Sequence, residues 1–181
     1  MDVVENAPIA LISLADDPDR AAGERDTLVT FLSYFRTVLV RKAAELTPAQ
    51  LSVAIGASSL TIGGLVKHMA FVEDHWFQVV LLGNEYPEPW SAVDWSASPD
   101  WEFVTASDDS PSELLAQFRA SVARSDAAIA AIADVAAVAA RPSHGEPTTL
   151  RWILVHLVEE YARHCGHADL IRESIDGRTG D

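Results

Sequence analysis

Cysteine is nearly missing from this sequence: Cys165 stands alone among 181 residues, so no disulfide can form within the chain. That usage fits a reducing compartment. Lysine is almost as scarce, with only Lys42 and Lys67, and 13 Lys+Arg face 27 Asp+Glu for a net charge of −14. Without a Lys/Arg run there is nothing to release counterions from phosphates, which excludes nucleic-acid binding through the backbone. It argues equally against anionic membrane surfaces. No apolar run approaches the roughly 18 residues of a membrane-crossing helix. The stretch from Met1 to Leu14 carries no Lys or Arg, and its apolar part, from Ile9 to Ala15, is short and contains Ser13. A secretory signal is therefore not expected, and the reading is a cytoplasmic protein.

What is present points to a compact globular chain. Hydrophobic residues make up 49% of it and there are five Trp, more apolar material than a disordered chain carries. The length suits one domain plus an arm, and a chain of this size buries roughly 70% of its unfolded surface. Residues 1–22, with Pro8, Pro18 and five acids, read as an N-terminal arm, and residues 23–181 as one helical domain.

The first helical signal runs from Glu24 to Glu45, where Leu28, Phe31, Leu32, Phe35, Val38 and Leu39 recur at spacings of three and four. Thr47 and Pro48 can open a short turn of helix. A second long helix is predicted from Thr61 to Leu82, with Leu65, His68, Met69, Val72, His75, Trp76 and Val79 on its inner stripe and Gly83 as a stop. The third spans Pro111 to Ala133, opened by a Ser110–Glu113 capping box. The fourth runs from Thr148 to Ile175, with Gly177 beyond its end. Between the second and third helices lies a long connection, residues 84–110, holding three of the five Trp and seven acids without a base. Such a connection is often functional; the plainer reading is a crossover pinned to the bundle by Trp90, Trp95 and Trp101. The fold class is all-α, a four-helix bundle.

Five of the six histidines fall on the second and fourth helices. On the fourth, Ile153, Leu157, Glu160, His164, Ala168 and Ile171 form the core stripe, with Glu160 and His164 in its middle. At 100° per residue, His156, His167, Glu160 and His164 project at roughly 0°, 20°, 40° and 80°, one narrow face. His68 sits on the buried stripe of the second helix. A buried carboxylate is seldom kept without a partner, and polar residues inside facing stripes are one way to build a metal site. Glu160 and His164, four apart, can converge on one ion, with His68 as a third ligand. Two imidazoles and a carboxylate suit Zn²⁺, Ni²⁺ or Fe²⁺ and leave positions open. A buried hydrogen-bonded Glu–His network would satisfy the same groups.

The segment R-W-I-L-V-H-L-V-E-E-Y-A-R-H-C-G-H-A-D-L-I-R-E-S-I-D-G (Arg151 to Gly177) resembles the last helix of the DinB-like superfamily, in particular an actinobacterial branch of it. L-V-K-H-M-A-F-V-E-D-H-W-F (Leu65 to Phe77) resembles that superfamily's second helix. The similarity covers roughly residues 24–177. It implies a DinB-like four-helix bundle of up-down-down-up arrangement. It also implies a metal triad of His68, Glu160 and His164, with Gly166 in the motif's glycine place and His167 where Gln is frequent. Members include mycothiol-dependent maleylpyruvate isomerase and YfiT-like metal-dependent hydrolases, and the Glu variant resembles the isomerase branch. The resemblance therefore implies a divalent metal, Zn or Ni in the first place, and a low-molecular-weight thiol such as mycothiol, used in S-transfer or isomerisation on a small-molecule substrate. A homodimer is compatible with the fold. Two other readings stand beside it: a metal-dependent hydrolase without a thiol, and a non-catalytic bundle that binds a small ligand.

Around the triad, His167 and His156 are candidates for a catalytic base or for a group orienting a ligand. Arg163 suits a helix-supporting pair with Glu159, and as a cofactor contact it would hold an anionic group. Cys165 reads as an inert packed side chain. Asp169 is expected to pair with Arg172, Tyr161 and Trp152 to pack, His75 to line a pocket or the core edge, and His144 to be solvated.

Overall fold

The computed structural model describes residues 7–10, 15 and 17–180. Half of the arm therefore lies outside the described residues, but its described part is tied down. Ile9 is buried, its carbonyl accepts from the Glu45 amide at 2.7 Å, and the Ala15 amide donates to Thr37 Oγ1 at 3.1 Å.

Helix α1 spans Glu24–Ala43 and buries Leu32, Val38 and Leu39, whereas Phe31 of the expected stripe is exposed. The single turn α2, Pro48–Leu51, forms because Thr47 caps it in a capping box with Gln50. Helix α3, Ile62–Glu73, starts where Thr61 Oγ1 accepts from the Gly64 amide. It then departs from expectation: residues Asp74–Leu81 continue as π-helix rather than α-helix before Gly83, at φ 75°, ends the run. Glu73 and Asp74, the consecutive residues at the junction, are both fully buried. Neighbours on different sides explain how, since α3 packs against α1, α5 and α6 together. Lengthened turns of this kind recur at functional sites.

The connection 84–110 is not featureless. It forms 3₁₀ turns at Trp90–Ala92 and Ala106–Asp108 and, between them, the one-turn helix α4, Trp101–Val104, which packs on α3. Helix α5, Pro111–Ala131, begins with the Ser110–Glu113 capping box. Helix α6, Leu150–Asp176, is capped by Thr149 and ends at Gly177, φ 75°. The regular elements of the described residues are all helical, with two isolated β-bridges, Val138 to Thr149 and Ser143 to Glu146, and no strand. Helix α6 lies on α1 and on α3, and α5 covers the other side of α3. Among the described residues, no helix is long and apolar enough to cross a membrane.

Two polar ties cross the core at the α–π junction. Arg36 of α1 donates Nε and Nη2 to the two carboxylate oxygens of Glu73, each at 2.7 Å. Asp74 accepts from Arg124 and Ser121 of α5 and from the Trp90 indole. Trp90 thus pins the connection to α3, as do Trp95 against Phe71 and Trp101 beneath the Lys67 ammonium. Both lysines of the chain are buried and paired: Lys67 with Asp109, and Lys42 with Asp169. Asp169 therefore pairs across helices with Lys42 rather than with Arg172, which turns to Asp176 instead.

Candidate metal centre

His68 from α3 and Glu160 and His164 from α6 come together: one ligand-capable atom from each lies within 4.8 Å of the other two. Helix periodicity alone brings Glu160 and His164 together on α6, and the packing of α3 on α6 adds His68. His164 Nε2 is 3.3 Å from Glu160 Oε2. The His68 and His164 rings meet edge to face with centroids 5.0 Å apart. Burial, reinforced by His68, His167 and Arg163, pushes His164 down to about 4, so its imidazole is neutral near pH 7 with a lone pair available to an ion. Two imidazoles and a carboxylate, with His164 buried and the other two half-buried, could hold a divalent metal ion.

Both histidines are held at Nδ1. The His68 Nδ1 lies 2.9 Å from Glu102 Oε1, and the Phe103 ring stacks on His68 with centroids 4.5 Å apart. The His164 Nδ1 lies 3.3 Å from His167 Nδ1. Each ring is thus left with Nε2 for a ligand. His167 accordingly sits beside the triad, against the back of His164. Glu102 and Phe103 were not singled out in the sequence. They belong to the acid-rich connection, and nothing there distinguishes Glu102 from its six acidic neighbours.

His156 lies one turn before Glu160. It groups with Glu159 and Glu160 as a second set of ligand-capable atoms, its Nδ1 3.6 Å from Glu159 Oε2. Its ring stacks on Trp152 at 4.9 Å and meets Trp76 edge-on at 4.7 Å. Trp152 packs as expected, against His156 and Trp76, and is 49% exposed. Arg163 bonds Glu159 and, at 3.2 Å, Glu160 Oε1, so the helix-supporting pair is present and extends to a triad member. Cys165 is buried, its Sγ 3.7 Å from the Phe35 carbonyl. Tyr161 does more than pack, donating its hydroxyl to Glu73 Oε1 at 2.7 Å. His75 lines the aromatic group of Phe71, Tyr86 and Trp76, its Nδ1 2.6 Å from the Tyr86 hydroxyl. His144 is exposed in its turn.

The family described as mycothiol-S-transferase matches this chain over residues 27–177. No curated protein matches it.

Proposed function

Because this chain belongs to the mycothiol-S-transferase family, a DinB-like family, we propose that it is a metal-dependent enzyme that uses a low-molecular-weight thiol of the mycothiol type in S-transfer or isomerisation. The observation that carries this reading is the convergence of His68, Glu160 and His164. We read the four long helices as an up-down-down-up bundle, a reading supported by the pairings of α1 with α6 and of α3 with α5. These three residues would hold a Zn or Ni ion, which would supply Lewis acidity that favours a thiolate at neutral pH.

The rest falls to the chain's own side chains. His167 fixes the His164 ring through the Nδ1 contact, and Glu102 does the same for His68. His156, which groups with Glu159 and Glu160 beside the triad, would take up the proton that the thiol gives up. Sulfur then bonds to an electrophilic carbon of the small-molecule substrate, and the leaving group departs with the bonding pair. Trp152 and Trp76 form an apolar wall next to His156. Arg163 at the rim suits an anionic group of the thiol or substrate. Cys165, buried away from this face, leaves the thiol to arrive with the cofactor.

The test combines metal content with thiol dependence. Protein purified without chelator and supplemented with Zn²⁺ or Ni²⁺ should carry about one ion per chain, as a single three-ligand site requires. Its turnover in an electrophile screen should require added mycothiol. Absence of every divalent metal overturns the reading. Turnover that ignores thiol replaces it with metal-dependent hydrolysis.

A further inference from the structure

Glu102 is 4% exposed in a connection whose other acids, the half-buried Asp109 apart, are exposed. Its Oε1 meets His68 Nδ1 at 2.9 Å, while its Oε2 is buried and has no hydrogen-bond partner. A buried carboxylate with one oxygen unpaired is costly and asks for a positive charge nearby. Lys67, next to His68 on α3, is committed elsewhere: its ammonium pairs with Asp109 at 2.6 Å, bonds Thr105 Oγ1 at 2.9 Å and sits 4.3 Å from the Trp101 ring centroid. The His68 contact gives Glu102 one hydrogen bond, at Oε1 alone. The charge it lacks would stand on the far side of the His68 ring.

We propose that Glu102 is a positioning residue of the metal site: it accepts the Nδ1 proton of His68, fixes that ring's tautomer and presents Nε2 to the ion. This rests on the metal reading above. A carboxylate behind a ligating imidazole raises its basicity and locks its orientation.

The local construction is consistent with that role. Consecutive residues of α4 meet consecutive residues of α3: Trp101 lies under Lys67, Glu102 bonds His68, and Phe103 stacks on the same ring. Gly64, one turn earlier on α3, makes the approach possible. A Cβ there would lie 3.2 Å from Phe103 Cδ1 and 3.0 Å from Thr61 Oγ1, closer than side chains settle without shifting. The segment that looked like a crossover is thus a wall of the site.

The experiment compares wild type with Glu102→Ala, Glu102→Gln and Asp109→Asn. The last loosens the Lys67 anchor of the same segment without touching His68. Zn²⁺ affinity is read by competition with a chromophoric chelator. The tautomer of His68 is read in the metal-free protein by ¹⁵N NMR of the ring nitrogens. The expected result is an Nδ1–H tautomer in wild type that is lost in Glu102→Ala, with a roughly 10- to 100-fold loss of Zn²⁺ affinity. Glu102→Gln, which keeps an acceptor but no charge, should retain the tautomer and fall between. Asp109→Asn should change affinity by less than about threefold, as a partly exposed pair allows. Unchanged tautomer and affinity in Glu102→Ala overturn the proposal alone. Equal losses in Asp109→Asn and Glu102→Ala overturn it in favour of simple anchoring. A wild-type protein that binds no ion overturns both this inference and the metal reading.

Discussion

The Tyr161 hydroxyl donates to Glu73 Oε1 at 2.7 Å, so the residue following Glu160 on α6 is bonded to the last residue of α3 before its π-helical turn. These two helices supply the three candidate ligands, and the bond fixes one against the other. Glu73 is completely buried and also bonded by Arg36, so its oxygens are satisfied only while both partners remain. Tyr161→Phe removes one bond from a buried anion and should lower stability by about 1–3 kcal/mol. Arg36→Met leaves the carboxylate without its cation and should cost about 3–5 kcal/mol. Urea unfolding followed by circular dichroism measures both. Equal, small effects would mean that neither bond holds α3 against its neighbours.

Chelation should separate a metal centre from a Glu–His network that merely satisfies itself. An ion that binds only the folded chain stabilises it by mass action, about 2.7 kcal/mol at a free concentration a hundred times Kd. Melting with Zn²⁺ present should therefore occur several degrees higher than with excess chelator. The variant carrying His68→Ala, Glu160→Ala and His164→Ala should melt at one temperature in both. An identical wild-type melting temperature with and without chelator favours the non-catalytic bundle.

The parts of this centre were unequally visible in the sequence. Glu160 and His164 stand out because both lie on the apolar stripe of one helix at a spacing of four, and His68 because it interrupts another stripe. These are patterns within single helices, which periodicity reveals. What stayed hidden is set by contacts between elements. Asp169 looked paired with Arg172 because a helix-local rule sees only its own helix, whereas Lys42 arrives from α1. The π-helical stretch Asp74–Leu81 is hidden because its apolar residues also fit α-helical spacing. Glu102 reads as one acid among seven until α4 folds onto α3. The ends of the helices were clearer, since Thr47, Ser110 and Gly177 act through neighbours in the chain.

Acid should weaken the metal-free protein before its carboxylates titrate. Burial pushes His75 below its ordinary value of 6.5, with His144 and His156 adding in the same direction. His164 is pushed down to about 4 for the same leading reason. As pH falls through about 6.5 the unfolded chain takes up protons that these two sites refuse when folded, so the unfolded state binds more protons and stability falls. The loss begins near pH 6.5 and, for His164, is complete only below about 4. Unfolding in urea with chelator present should show a lower midpoint at about pH 5 than at about pH 7. His75→Gln, which can still meet the Tyr86 hydroxyl, should remove part of that slope. A slope unchanged by the substitution would assign the effect elsewhere.

Arg163 offers a prediction in which two roles give opposite signs. Its guanidinium bonds Glu159 and lies 3.2 Å from Glu160 Oε1, and its side chain is more than half exposed, so the pairs contribute at most about 1 kcal/mol to folding. Arg163→Ala should leave the melting temperature nearly unchanged. Its effect on the metal is less trivial, because a cation beside a ligating carboxylate competes with the ion for the same charge. Relief of roughly 1 kcal/mol of that competition corresponds to about a fivefold tighter Kd for Zn²⁺. Arg163→Lys, which keeps the charge, should show little of this gain. If Arg163 also holds an anionic group of the thiol or substrate, the Ala variant will bind metal more tightly and yet require more substrate. A raised KM beside a lowered metal Kd is the signature of both roles. A raised metal Kd would show instead that Arg163 orients Glu160 toward the ion.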